Sequence, residues 1–336
     1  MTIEEFMAEW HHDSPTMLVH TSGSTGKPKP MLIEKQRMEA SARITCRFLG
    51  LKEGDRALLC MPLDYIAGKM MVVRALTCGL RLITLPPTGH PLASPLPQEL
   101  EGEPIDFAAM VPLQVYNTLQ VAEERERLRR IRHLIIGGGA INKELAEELA
   151  DFPNHVWSTY GMTETLSHIA LRRLNGPERS EWYKPFEGVT VTLNSEGCLT
   201  IDAPAVHDGL LVTNDLAELH SNSTDPHSPT AFRIIGRRDN VICSGGIKIQ
   251  IEAVEELLRA HIHVPFMICK RSDAKFGESV ALLTEGIVDD AREVSQQFLP
   301  KHWQPRYYMH TDHIPLTATG KPARQVAQQL IEKCNR

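Results

Sequence analysis

Between Asp55 and Ser158, short apolar runs alternate with segments of helical pattern, and no other feature of the 336 residues restricts the fold as much. RALLCMPL (56–63) is a short apolar run. Gly68–Cys78 reads as a helix, closed by Gly79 where a helix C′ glycine stands. RLITL (81–85) then reads as a second buried strand. Ile105–Val111, His133–Ile136 and His155–Ser158 are further short apolar runs with helical segments between them. Strands that alternate with helices imply βαβ units and a mainly parallel sheet. The stretch TLPPTGHPLASPLP (84–97) holds five prolines, which forbid regular structure, so it reads as a surface connection.

After about residue 185 the texture changes. VTVTLNSEGCLTID (189–202) predicts an antiparallel hairpin that turns at Ser195–Gly197, and LVTNDLAEL and AFRIIG read as two strands joined by the polar loop SNSTDPHSPT. From Ile251 the pattern is helix, strand, strand, helix, strand and a final helix, a small α+β unit. The expected architecture is therefore α/β. A large N-terminal domain (1–237) has mainly parallel sheets and a small β-barrel-like region, and a small mobile α+β domain (238–336) follows a boundary near Arg237–Asn240. The mixed-charge run EERERLRRIRH (123–133) reads as a solvated helix face, with a polyanion site as the alternative.

Charge excludes one class of partner. Lys plus Arg is 36 against 42 for Asp plus Glu, a formal charge of −6, so no basic excess exists to neutralise nucleic-acid phosphates. The start, MTIEEFMAEWHHD, has neither the basic nor the apolar portion of a secretory signal. No run of 18 apolar residues suggests a membrane span. The cysteines at 46, 60, 78, 198, 243, 269 and 334 show no CxxC spacing and read as reduced thiols of a cytoplasmic protein.

Three stretches carry chemistry. In His20–Lys29 the sequence HTSGSTGKPK offers two glycines for close backbone approach, hydroxyls and N–H groups for an anion, and the cations Lys27 and Lys29. Two residues separate its glycines and Pro28 follows Lys27, so it is not a Walker A loop. Such a segment is either a polyphosphate site or a flexible turn. Tyr160-Gly161-Met162-Thr163-Glu164 reads as a loop after the strand HVWS, and supplies an aromatic face, a hydroxyl and a carboxylate at a strand end, where open α/β sheets bind ligands. The three glycines of IIGGGA (135–140) leave backbone bare at another strand end.

TSGSTGKPK, YGMTE, GRRDNVICSGGIKIQIEAVE (236–255) and PLTATGKPAR (315–324) resemble, in order and content, the motifs of the acyl-adenylate-forming superfamily of acyl- and aryl-CoA synthetases and adenylation domains. MPLDYIAGKMMVVRALTCGLRLITL is most similar to short bacterial o-succinylbenzoate–CoA ligases of menaquinone synthesis. The resemblance implies an enzyme that joins a carboxylic acid to AMP with ATP and Mg²⁺, then passes the acyl group to CoA. Another aryl or fatty acid, or a carrier-protein thiol as acceptor, is the alternative it leaves. By similarity, Thr21, Ser22, Gly23, Ser24, Thr25, Gly26 and Lys27 would hold the β- and γ-phosphates. Thr163 would contact the α-phosphate, Glu164 would hold Mg²⁺, and Tyr160, Gly138 and Gly139 would border the adenine. Asp215 and Arg237 would grip the ribose, although Asn214 stands where the family has glycine. Lys321 is the expected catalytic cation and Asp239 the hinge. Gly245 and Gly246 would line the CoA passage, with Lys248 on the CoA phosphates.

The acyl pocket rests on fewer residues. Many relatives have an aromatic residue or histidine in the loop at 64–68, whereas this chain has Asp64-Tyr65-Ile66-Ala67-Gly68, with Tyr65 a candidate acyl contact. o-Succinylbenzoate is a diacid, so its non-reacting carboxylate needs a partner. Arg74, within VVRAL, either pairs with that carboxylate or is salt-bridged on the helix surface; Lys69 is the substitute. The phosphate loop begins at residue 21, whereas most relatives have a long stretch before it. The expected large domain is therefore pared down, with a face left open or buried in a possible homo-oligomer.

Overall fold

The structure, a computed structural model, describes residues 1–20, 30–93, 104–220, 230–317 and 321–333. Helix α1 (Ile3–His11) opens the chain on a capping box: Thr2 Oγ1 accepts from Glu5 N at 3.2 Å and the Glu5 carboxylate takes Thr2 N at 2.8 Å. Strands β1 (Thr16–His20) and β2 (Pro30–Glu34) pair antiparallel, from Thr16 opposite Glu34 to His20 opposite Pro30. Helix α2 (Lys35–Leu49) follows.

The alternation read between Asp55 and Ser158 is the main sheet. Its elements are β3 (Arg56–Leu59), α3 (Ile66–Cys78), β4 (Arg81–Thr84), β5 (Phe107–Met110), α4 (Pro112–Leu119), α5 (Ala122–Arg129), β6 (His133–Ile136), α6 (Lys143–Glu148) and β7 (His155–Gly161). With β8 (His168–Arg173) and β9 (Lys184–Pro185) they form a seven-stranded sheet of order β4-β3-β5-β6-β7-β8-β9. It is parallel through β7 and antiparallel beyond. Successive strand residues point to opposite faces, so a strand buried on both sides reads as a continuous apolar run. Leu59 and Ile135 pack with Met38, Ala42, Met70 and Val73 of α2 and α3. Leu58, Leu134 and Ile136 pack on the other face with Val115, Leu128 and Leu145 of α4, α5 and α6. Helix α3 ends at Gly79, whose left-handed backbone (φ 67°) caps it as expected.

Two surface expectations need correction. The proline-rich connection buries Pro91 and Leu92. The run that follows Glu123 is not simply solvated: Glu124 and Leu128 of α5 are buried, Glu124 meets His90 Nδ1 at 3.1 Å, and Arg127 donates to Leu92 O at 2.5 Å. The helix thus uses its charged face to hold a segment that can form no ladder of its own.

Strands β10 (Thr190–Leu193), β11 (Cys198–Asp202), β12 (Leu210–His220) and β13 (Ala231–Arg237) form a four-stranded antiparallel sheet in that order, which answers to the small β-region expected there. Val191, Leu199, Ile201 and Phe232 join it to the α2/α3 side of the core. A 3₁₀ turn, Arg238–Asn240, comes next. Then come β14 (Val241–Ser244), β15 (Ile247–Gln250), α7 (Ile251–Arg259), β16 (Phe266–Asp273), β17 (Gly277–Thr284), α8 (Val288–Phe298), β18 (Tyr307–His310) and α9 (Arg324–Lys333). The six elements read from Ile251 onward are present, and the β14–β15 hairpin is an addition. The last sheet has α7 and α8 on one face and α9 on the other, and its two apolar clusters include no residue before Ile242. No helix among the described residues is long and apolar enough to cross a membrane.

Candidate active site

The C-terminal ends of β6 and β7 and the paired strands β12 and β13 converge on one place. After β6, Gly138 has φ 81° and Gly139 is backed by the Pro112 ring; both are exposed, so a ligand would meet bare backbone there. Tyr160 and Gly161 were expected on a loop but belong to β7. Pairing with β8, Tyr160 opposite Ala170 and Gly161 opposite His168, extends the strand past its parallel partners. The Tyr160 ring stands edge-on to Phe232 at 5.0 Å, and its hydroxyl donates to Asp215 Oδ2 at 2.7 Å. Burial, then Asp215, pushes the phenol well above its ordinary pKa, so it stays a donor.

Asp215 and Arg237 are cross-strand partners on β12 and β13. Arg237 reaches Asp215 Oδ1 at 3.5 Å and Asp239 Oδ2 at 3.1 Å, so the guanidinium sits between two carboxylates. Lys321 arrives from the far end of the chain. Burial and then the Arg237 charge hold its pKa down, while Asp215 opposes them. The structure therefore gathers Tyr160, Asp215, Arg237, Asp239 and Lys321, which lie up to 161 positions apart in sequence.

The turn between β7 and β8 is tightly packed. Thr165 Oγ1 lies 3.0 Å from Met162 N and 2.8 Å from Ser167 O, and Leu166 takes φ 64°, a left-handed value for a non-glycine residue. Thr163 is buried here, and the half-buried Glu164 carboxylate has no hydrogen-bond or ion-pair partner among the described residues. An oxygen ligand left open in this way suits Mg²⁺, a hard cation that takes few protein oxygens and keeps several waters.

Arg74 points inward, not onto the helix surface: it is 2% exposed. Its guanidinium donates to Ser167 Oγ at 2.6 Å and lies 3.5 Å from Thr45 Oγ1. His168 joins the same network, with Nδ1 3.1 Å from Ser167 Oγ and Nε2 3.1 Å from Thr45 Oγ1. Burial, then Arg74, lowers the His168 pKa well below its ordinary value, so the ring is neutral. Thr45 Oγ1 donates to Ser41 O at 3.1 Å, which makes it the acceptor for Nε2–H; Nδ1 then accepts from Ser167. No carboxylate among the described residues pairs with Arg74, its Nε has no partner, and burial pushes its pKa down to about 10. Lys69 goes elsewhere. Its ammonium lies 3.1 Å from Met1 Sδ and 5.7 Å from the centre of the Phe6 ring, under α1, and burial lowers its pKa. Tyr65 stands half-buried at the N-cap of α3.

Gly245 (φ 57°) and Gly246 (φ 85°) make the β14–β15 turn, and Lys248 is exposed on β15. Around the 3₁₀ turn, Arg238 donates to Asn214 Oδ1 at 2.9 Å and pairs with Glu196. The departure at Asn214 thus has a physical use, because glycine could not hold Arg238. Gln250 Nε2 donates to Arg237 O at 3.1 Å, and Asn240 Nδ2 to Glu252 Oε1 at 2.5 Å. The phosphate-loop residues Thr21–Lys27 lie outside the described residues. Ser167, Thr45, His168 and Gln250 were not singled out from sequence.

The sequence profile of the AMP-binding enzyme family matches residues 4–197. The chain belongs to the AMP-binding enzyme family. Within it, a 2-succinylbenzoate–CoA ligase of Bacillus thuringiensis is 25% identical over 94% of this chain and 70% of that protein. An acyl-CoA synthetase (AMP-forming)/AMP-acid ligase II-like protein from Dyadobacter fermentans, known as a crystal structure, is 34% identical. That match covers 98% of this chain and 93% of that one, with a TM-score of 0.63. O-succinylbenzoate CoA synthetase (MenE) from Bacillus subtilis, in complex with ATP and magnesium ion, matches with a TM-score of 0.73 at 22% identity, covering 92% of this chain and 68% of that one. The fold is that of adenylate-forming enzymes.

Proposed function

We propose that the protein is an AMP-forming acid–CoA ligase whose acid is a dicarboxylate of the o-succinylbenzoate kind. The observation that carries the acid class is Arg74. A guanidinium fully removed from water, faced by two hydroxyls and a neutral histidine, is costly unless an anion completes it. The second carboxylate of a diacid is such an anion, and Ser167 links Arg74 to the Thr163–Ser167 turn at the nucleotide side. The ligase named in Bacillus thuringiensis acts on an acid of this class.

In this reading the reacting carboxylate attacks the α-phosphorus of ATP, a P–O bond forms, and pyrophosphate leaves with its electron pair. Thr21–Lys27 bind the β- and γ-phosphates, and Tyr160, Gly138 and Gly139 border the adenine. Asp215 and Arg237 hold the ribose, and Thr163 orients the α-phosphate. Lys321 offsets the charge that builds on the phosphate and carboxylate oxygens. Glu164 would hold Mg²⁺, which supplies charge neutralisation on phosphate oxygens. The CoA thiol then attacks the acyl carbon, the C–O bond to AMP breaks, and AMP leaves. Gly245 and Gly246 line the thiol's approach, with Lys248 on CoA phosphates. Residues 1–237 and 238–336 act as two domains, and rotation at Asp239 exchanges Lys321 for the Gly245–Gly246 turn.

The test is acid-dependent ATP–pyrophosphate exchange over a panel of aromatic and aliphatic mono- and dicarboxylates, followed by CoA consumption. Exchange confined to dicarboxylates, with CoA consumed, is the expected outcome. Equal exchange with monocarboxylates would remove the acid class, and exchange without CoA consumption would point to a carrier thiol.

A further inference from the structure

Two of the family-like motifs end on residues that the proposed chemistry does not use: Glu255 closes GRRDNVICSGGIKIQIEAVE and Arg324 closes PLTATGKPAR. They meet. Arg324 Nη1 lies 2.7 Å from Glu255 Oε1 and Nη2 lies 2.8 Å from Oε2, a two-pronged pair with both side chains largely out of water. The pair also closes the outer edge of β16 at a single residue. Ile268 N donates to Glu255 Oε1 at 3.0 Å, and Arg324 Nη1 donates to Ile268 O at 2.7 Å. A carboxylate and a guanidinium thus do for Ile268 what a further strand would do.

The clamp joins two helices that each lead to a segment of the site. Glu255 lies on α7, which packs on one face of the last sheet, and Arg324 opens α9, which packs on the other. At the start of α7, Gln250 holds the Arg237 carbonyl and Glu252 holds Asn240, both at the 3₁₀ turn between the β-rich region and the last sheet. Just before Arg324, Lys321 is tied back by two hydrogen bonds with Thr317, from Thr317 N to Lys321 O at 2.7 Å and from Lys321 N to Thr317 Oγ1 at 3.1 Å. Ala323 N also donates to Pro315 O at 2.9 Å. Residues 315–317 and 321–323 are therefore bonded to each other, and Arg324 fastens their base to α7.

We propose that the Glu255–Arg324 pair is the positioning device for Lys321, which fixes the lysine segment to the helix anchored at the hinge. This rests on the reading of Lys321 as the adenylation cation. Without the clamp, α7 keeps its own apolar contacts and the Gly245–Gly246 turn ahead of it, while the α9 end with Lys321 is released.

The experiment measures the two half-reactions separately in the full-length protein carrying Glu255→Gln or Arg324→Gln. Glu255→Gln keeps an acceptor for Ile268 N and removes the charge on Arg324's partner. The kcat of ATP–pyrophosphate exchange should fall about tenfold to a hundredfold, the range set by a misplacement of an ångström. KM for ATP and thiolysis of a supplied acyl-adenylate should stay within about twofold, and the double variant should be no worse than either single one. Glu255→Asp should restore part of the exchange rate. Equal loss in both half-reactions, or no loss in exchange, overturns the proposal. If Glu255→Gln does not fold, the same split applied to Glu255→Asp decides. Lys321→Ala separates the two failures: if it leaves exchange intact, the reading of Lys321 itself falls. If it abolishes exchange while the clamp variants do not, only the positioning role falls.

Discussion

Arg74 is a buried cation and Lys321 a half-buried one, and their surroundings differ in kind. Arg74 faces Ser167, Thr45 and a neutral His168. Lys321 lies within the field of Asp215 and Arg237, and Arg237 is itself held between Asp215 and Asp239. On the proposed reading, the nucleotide side supplies both signs of charge, so the pairs persist with or without ligand and need only be rearranged. On the same reading, the acyl side supplies one sign, already stripped of water, and the ligand brings the counter-charge. The first arrangement suits a group that moves between two states. The second suits a fixed selector, because an acid that lacks the counter-charge leaves the desolvation cost unmet.

Removing Lys321 breaks the nucleotide side most severely. In Lys321→Ala the exchange rate should fall about 10²- to 10³-fold, the usual cost of losing one preorganised group at developing charge. Thiolysis of a supplied acyl-adenylate should survive. The two half-reaction rates check this, and equal loss in both would refute a role confined to adenylation. The pH dependence has a definite sign. Burial and Arg237 lower the Lys321 pKa, so the ammonium form is present at low pH and is lost as pH rises, sooner than for an ordinary lysine. Exchange should therefore decline on the alkaline side, with a midpoint below the ordinary lysine value of 10.5.

The acyl side should respond in KM. Arg74→Met keeps most of the volume and deletes the charge. KM for a dicarboxylate should rise about tenfold to a hundredfold, the worth of a hydrogen bond to a charged group. KM for a monocarboxylic analogue should change little. The same variant should raise the thermal midpoint of the ligand-free protein, because an uncompensated buried charge has been removed. Steady-state kinetics on both acids and a melting curve check the two halves, and a parallel rise of KM for both acids would end the selector argument.

These two sides were not equally legible in the sequence. The grouping of Tyr160, Arg237 and Lys321 was more legible, because each stands within a contiguous motif and Tyr160 follows a strand of an open α/β sheet, a place physics assigns to ligands. Tyr160 was still misplaced by its neighbour: glycine at 161 suggests a loop, yet antiparallel pairing with β8 carries the strand through it. The β14–β15 hairpin was missed because its turn, Gly245–Gly246, was read for its bareness instead of its backbone geometry. On the acyl side only Arg74 stood out, as a charge in an apolar run. Thr45 precedes it by 29 positions and Ser167 follows by 93, and nothing local marks a hydroxyl that will face a guanidinium. The Glu255–Arg324 pair spans 69 positions and was hidden similarly, since each residue alone reads as a solvated helix charge.

Thr45→Val should have the smallest effect and separates the Arg74 charge from the network around it. The substitution preserves shape and removes one hydroxyl that accepts from His168 Nε2, donates to Ser41 O and lies at the limit of reach of Arg74. His168 then holds an unpaired N–H unless its proton moves to Nδ1. In that tautomer Ser167 must accept from both His168 and Arg74, and its own hydrogen is freed to turn elsewhere. Arg74 keeps its charge and its 2.6 Å bond to Ser167 throughout. The expected result is a loss of roughly 1–3 kcal/mol of stability, the cost of an orphaned buried donor, and a KM for the dicarboxylate raised roughly two- to fivefold. Denaturant unfolding and steady-state kinetics read the two numbers. A KM rise as large as that of Arg74→Met would mean that the hydroxyl network, and not the guanidinium charge, selects the acid. No KM change with the full stability loss would make Thr45 a packing residue alone.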